Sequence, residues 1–288
     1  MNELLIHLFD ISMLIFVSGS MITLGLNLTF KQFIAPFKKI RMIIRALIAN
    51  FILVPVFAYA LLSGLEPLFP ISEGLKTGII LLALTGGAPF IPKVVEVAKA
   101  QMADGVGLML LLMIVTMIIM PLAIPIIFHG ASISSFDIIQ SLLYSMFIPL
   151  ILALFYKARF AESAMRIQPY AAKITSLSIL ILFISAVILY SEIIIDNRGA
   201  LPIILLFFLG SMMIGYLAGG KISNARIIFS IGTGLRNPPI AVLVASKSFS
   251  NEPMAAIVPL LVIIIGLSIL FPLAVMIRKK GNKRISSF

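Results

Sequence analysis

Residues 228–247 read IFSIGTGLRNPPIAVLVASK, and residues 81–100 read LLALTGGAPFIPKVVEVAKA. Each is an apolar stretch about long enough to cross a bilayer, and each is interrupted in its middle. The interruption is glycines followed by prolines: Gly232, Gly234, Pro238 and Pro239 in one, Gly86, Gly87, Pro89 and Pro92 in the other. Proline lacks the backbone donor and collides with the preceding turn, so both stretches are predicted to be broken helices. After the break each continues as a short run ending in a lysine, Lys247 or Lys99, and the next span carries a late proline, Pro272 or Pro121. A break at membrane depth exposes N–H and C=O groups that only protein or a water-filled cavity can satisfy. Matched broken helices in the two halves of a chain point to a binding site of the secondary-transporter kind at the bilayer midplane.

The rest of the chain agrees with that setting. Of 288 residues, 61% are hydrophobic and 11% charged, and the mean hydropathy is +1.16. Soluble domains carry roughly 25% charged residues. A soluble globular domain, a disordered chain and a coiled coil are therefore excluded. Charge-free stretches act as a ruler and predict nine spans, near 9–28, 44–63, 77–98, 106–128, 138–156, 174–194, 200–219, 226–246 and 254–277. The first is not read as a signal peptide: its flank carries Glu3 and no basic residue, and no small-residue cleavage site follows. The spans are predicted to be helices, because lipid leaves the backbone no other partner outside a closed barrel. The fold class is thus an all-α polytopic membrane protein, one transmembrane domain over 1–288. Two inverted repeats are expected, about 1–130 and 137–288, with the two broken helices crossing at the midplane.

Loop charge predicts the orientation. With the N-terminus outside and the C-terminus cytoplasmic, the inside loops and tail carry 17 basic residues and the outside loops only three, Lys76, Arg198 and Lys247. That is a strong positive-inside pattern, and it explains the net charge of +11 without invoking nucleic acid. The expected location is the plasma membrane.

Two cations remain, Lys93 and Arg236, and both fall inside spans. A charge at the bilayer centre costs at least about 2.5–3.5 kcal/mol. Both are therefore expected to face protein, a partner or water. With the half-helix dipoles restarting after each break, they form a candidate site for an anion. Thr85, Gly87, Ala88, Thr233 and Asn237 lie at the breaks and are candidate substrate contacts. Glu96 and Asp104 are candidate charge partners or proton carriers. Lys93 has a plainer reading, an ion pair with Glu96 one turn away, and Asp104 as the cap of the next helix. No catalytic residues are assigned: there is no HExxH, no cysteine and no Ser-His-Asp grouping. With no cysteine and two histidines, no metal site and no cofactor are expected either.

These motifs resemble the bile acid:sodium symporter family. The resemblance runs from GLNLTFKQF at 25–33 to the last span. It implies ten helices in two inverted repeats with two broken helices crossing, and transport of organic anions coupled to sodium. The family's Glu-x-Gly-x-Gln-Asn falls on Gly232-Thr233-Gly234-Leu235-Arg236-Asn237, and its Gly-Gly-x-x-Ser-Asn on Gly86-Gly87-Ala88-Pro89-Phe90-Ile91. The departures are specific. The first helix is missing, which leaves nine spans. The acidic residue is Gly232, the Gln is Arg236, and the Ser-Asn pair is Phe90-Ile91. The family's hydroxyls in the next span fall near Gly105 and Met109. Sodium needs several hard oxygen ligands, and these side chains do not supply them. The expectation is a secondary transporter of a small organic anion in which Arg236 and Lys93 replace the mobile ion. Sodium or proton coupling, and a channel or receptor on the same fold, are the alternatives. A distant arsenite- or auxin-type carrier is the runner-up within transport.

Overall fold

A computed structural model describes residues 2–29, 40–128 and 135–285. Among these residues there are helices and no strands. The helices are α1 (Asn2–Asn27), α2 (Ile40–Leu65), α3 (Glu73–Leu84), α4 (Ile91–Val97) and α5 (Met102–Ile127). Helix α6 runs through Ser135–Leu142, Leu143–Phe147 and Ile148–Arg159. Then come α7 (Ala161–Leu189), α8 (Ser191–Asp196), α9 (Ala200–Ala218), α10 (Ser223–Leu235), α11 (Pro238–Ser248) and α12 (Pro253–Ile285).

Among the described residues eight stretches are long and apolar enough to cross a membrane. The ninth expected span is the pair α3 and α4, each too short to cross alone because Thr85–Phe90 is not helical. The other expected break is also present: Arg236 and Asn237 separate α10 from α11. Pro92 and Pro238 sit in the first turns of α4 and α11, where a missing N–H leaves no bond unmade. Ser72 caps α3, its hydroxyl accepting from the Leu75 N–H. Lys76 in its first turn donates to Glu66 at 2.6 Å and Glu73 at 2.8 Å. Those bonds raise its pKa and tie the end of α2 to the start of α3.

The sixth span differs from its expected 174–194. Helix α7 starts thirteen residues earlier, at Ala161. The segment expected as a loop is strongly helix-forming, and its charges Glu162, Arg166 and Lys173 lie on exposed positions. The helix therefore runs on beyond its apolar part, as α12 does through Lys279.

Two groups of helices are visible in the packing. Helix α1 lies along α7 and α6. The second group is α2, α3–α5 and α9–α12, with α9 along α10 and α12 along α3 and α11. The groups meet where α1 touches α11 and α5 touches α6, with Phe16 stacked on Phe90 at 6.2 Å between ring centroids. The interrupted span α10–α11 is the centre of the molecule: the most apolar 18-residue stretch within Ser223–Ser248 is 89% buried, whereas the corresponding stretches of the other seven lie between 22% and 44%. Lipid-facing helices keep apolar side chains exposed, so burial here marks the protein interior rather than hydrophobicity.

Candidate functional site: a guanidinium where two broken helices meet

Helix α3 ends at the first break, so the carbonyls of its last turn lose their usual donors four residues on, although Leu82 O still accepts from the Thr85 N–H and hydroxyl. They also carry the negative end of the helix dipole. Helix α2 supplies a further unpaired carbonyl by a different route. At Ala49–Leu53 it widens to a π-helical turn, in which the Val54 N–H bonds to the Ala49 carbonyl. In that register the next donor, to the Asn50 carbonyl, should be residue 55, but residue 55 is proline. The Asn50 carbonyl is left free.

Arg236 collects all of these groups. Its Nε donates to Leu82 O at 3.0 Å, and its Nη2 to Ala83 O at 2.5 Å and Asn50 O at 3.1 Å. Its Nη1 donates to Asn50 Oδ1 at 2.6 Å. Four of the five N–H donors of a guanidinium are thereby engaged. The side chain is fully buried, and no carboxylate pairs with it among the described residues. Its counter-charge is made of oxygen dipoles. The backbone is bent to place it there: Arg236 has φ 50° and ψ −154°. That region is almost reserved for glycine and costs on the order of 1–3 kcal/mol.

The neighbours complete a buried polar network. Asn50 Nδ2 donates to Ala46 O at 2.9 Å and to Thr233 Oγ1 at 3.2 Å. Asn237 turns to the first break: its N–H donates to Thr85 Oγ1 at 3.3 Å, and its Nδ2 to Gly86 O at 3.2 Å and Gly87 O at 3.0 Å. From α5, Thr116 accepts from the Gly86 N–H at 2.8 Å and donates to Gly86 O at 3.2 Å. Each break therefore satisfies backbone groups that the other exposes. Gly87 has φ 82°, and a Cβ on it would strike the backbone of Met109 and Met113 in α5, so only glycine fits.

The residues singled out from sequence fall into three places. Arg236, Asn237, Thr85, Gly87, Ala88 and Thr233 come together at the crossing, all buried. Lys93 does not join them: it lies on an exposed face of α4, its side chain 65% exposed, paired with Glu96 at 2.9 Å. Asp104 is in the first turn of α5, on the wall of a separate cavity at the end of the bundle. Asn50 and Thr116 were missed. The available signal was their isolation, single polar residues within the otherwise apolar runs 46–62 and 105–128.

Chemically, the crossing offers a monovalent cation four oxygen ligands, and the cation present is Arg236. The Asn237 Oδ1 is buried and accepts no hydrogen bond. Among the described residues it is the crossing's one buried side-chain atom without a hydrogen-bond partner.

An all-helical membrane protein with two interrupted spans locked together at its centre is the architecture of a secondary transporter. Comparison with protein families agrees: residues 13–197 match the model described as Sodium Bile acid symporter family. The chain belongs to that family, whose members are transporters of bile acids or related organic anions rather than enzymes. The matched region ends before α10 and α11. Comparison with individually curated proteins returns no match.

Proposed function

We propose that this protein carries a small organic anion across the plasma membrane by alternating access, with Arg236 permanently occupying the position a coupling cation would hold. The observation that carries the reading is the set of four oxygens, Leu82 O, Ala83 O, Asn50 O and Asn50 Oδ1, on one guanidinium. Such hard oxygen donors suit sodium. A tethered cation offsets the same dipoles at all times and adds no gradient. The anion then travels beside the crossing, in the seam between the two helix groups, because Arg236 has one donor left and no solvent exposure. The two groups rock against each other about that seam.

The same reading takes α1–α5 and α6–α12 as inverted repeats, with the N-terminus outside and the C-terminus cytoplasmic. Lys93 and Glu96 neutralise each other on α4 and are assigned no substrate contact. The test is uptake of radiolabelled taurocholate and a panel of smaller carboxylates and sulfonates into proteoliposomes, in sodium, potassium or choline buffer and with or without a pH gradient. The expected result is uptake that is saturable and equal in the three cations. Uptake driven several-fold by a sodium or proton gradient overturns the uncoupled reading, and saturable binding without flux assigns a receptor.

A further inference from the structure

A large cavity among the described residues lies away from the crossing. It opens where the start of α2, the start of α5, the end of α9 and the start of α10 converge, and its volume is about 1060 Å³. That is at the top of the range of about 300–1,000 Å³ for small-ligand sites. Among the described residues three cations line it, Arg41, Arg45 and Lys221, against one carboxylate, Asp104. Arg41 and Arg45 are one helical turn apart and so share a face of α2. Among the described residues neither forms a hydrogen bond or ion pair. Arg226, next in sequence to the lining residue Ala225 but not itself on the wall, is already engaged: its Nε donates to Gly220 O and its guanidinium lies over the Tyr216 ring at 5.1 Å. It holds the α9–α10 turn in place. Helix α10 also presents an N-terminus with no side-chain cap, at Ile222, and Ile222, Asn224 and Ala225 form part of the cavity wall. Uncapped N–H groups at a positive helix end suit a phosphate.

The cavity wall also runs onto exposed apolar surface. From Ile40 on its wall, Ile44 and Ile48 follow at one-turn intervals down α2, and they are 64%, 50% and 42% exposed. A soluble anion has no use for that stripe, whereas an acyl chain does. We propose that this cavity binds the headgroup of an anionic phospholipid, its phosphate between Arg41, Arg45 and Lys221 and its chains along Ile44 and Ile48. Basic pockets between helices at a membrane surface are suited to such headgroups. The inference is independent of how the transporter is coupled.

The test is thermal unfolding of the full chain in maltoside micelles, followed by circular dichroism because the protein has no tryptophan. Phosphatidylglycerol, phosphatidylcholine with the same chains, and glycerol 3-phosphate are titrated in parallel. Phosphatidylglycerol is expected to raise the midpoint saturably, and the other two to leave it within 1 °C. In R41Q/R45Q the half-saturating phosphatidylglycerol concentration rises at least tenfold, and in K221Q at least threefold. The control R166Q/K173Q removes two like charges from exposed positions of α7 and leaves the titration unchanged. If R41Q/R45Q does not fold, K221Q decides. An equal rise in the control, or equal stabilisation by phosphatidylcholine, overturns the proposal. Glycerol 3-phosphate acting as well as the lipid overturns it too, in favour of a soluble anion.

Discussion

Replacing Arg236 is the sharpest probe of the crossing. In Arg236→Met the volume is kept and every donor is lost. Leu82 O still accepts from the Thr85 N–H and hydroxyl. Ala83 O, Asn50 O and Asn50 Oδ1 are left without a donor in a site water does not reach. A buried unsatisfied acceptor costs about 1–3 kcal/mol, and removing one partner of a buried charged network about 3–5 kcal/mol. Relief of the φ 50° strain does not help Met, which meets the same backbone clash as Arg. The net loss is about 3–5 kcal/mol, or on the order of 10 °C in midpoint at about 2–4 °C per kcal/mol. Arg236→Gly separates the charge from the covalent link. Glycine accepts this backbone geometry freely and leaves a hole lined by four oxygens. Its midpoint is expected to fall by several degrees and to be restored by millimolar methylguanidinium, and in part by sodium but not choline. The wild type, measured in the same salts, stays unchanged. Unfolding in maltoside micelles, read by circular dichroism, gives both answers. If Arg236→Met melts within 2 °C of wild type, or Arg236→Gly ignores every small cation, the oxygens do not require a cation and the reasoning fails.

Four further outcomes are expected. Gly87→Ala forces a Cβ into the α5 backbone at φ 82°, and should abolish folded, monodisperse protein on gel filtration or lower the midpoint by more than 10 °C. Thr116→Val removes the hydroxyl that serves both backbone groups of Gly86, and the loss of about 1–3 kcal/mol should appear as a midpoint drop of several degrees. Lys93→Gln breaks only an exposed pair and should change stability by less than about 1 kcal/mol, with uptake unaltered. The double variant Gly232→Glu/Arg236→Gln rebuilds the acidic and amide positions of the family motif. A Cβ at 232 meets the flexible end of Leu108 rather than backbone, so the variant should fold and gain a sodium-dependent rise in midpoint absent in choline. No sodium dependence in a folded double variant would count against the cation exchange proposed here.

The membrane class, most of the spans and both interruptions were readable from residue order alone, the early start of α7 being the exception. Hydropathy, proline and mid-span glycine act locally, through the cost of burying charge in lipid and the loss of a backbone donor. The unusual nature of Arg236 was readable for the same reason: a lone charge in an apolar run must have a partner. What partner it has was not. Asn50 lies 186 residues away, and the α3 carbonyls 153 and 154 residues away. The acceptors are mostly backbone atoms, which have no residue identity to read. The π-helical turn at Ala49–Leu53 frees one of them, and neither composition nor spacing announces it. Lys93 shows the converse. By sequence it matched Arg236, a cation beside a break, yet the rotation of α4 turns it outward to Glu96. Position along a chain tells which groups need partners; only the packing of α2, α3 and α10 together decides which of those needs answer one another, because hydrogen bonds and burial depend on distance in space.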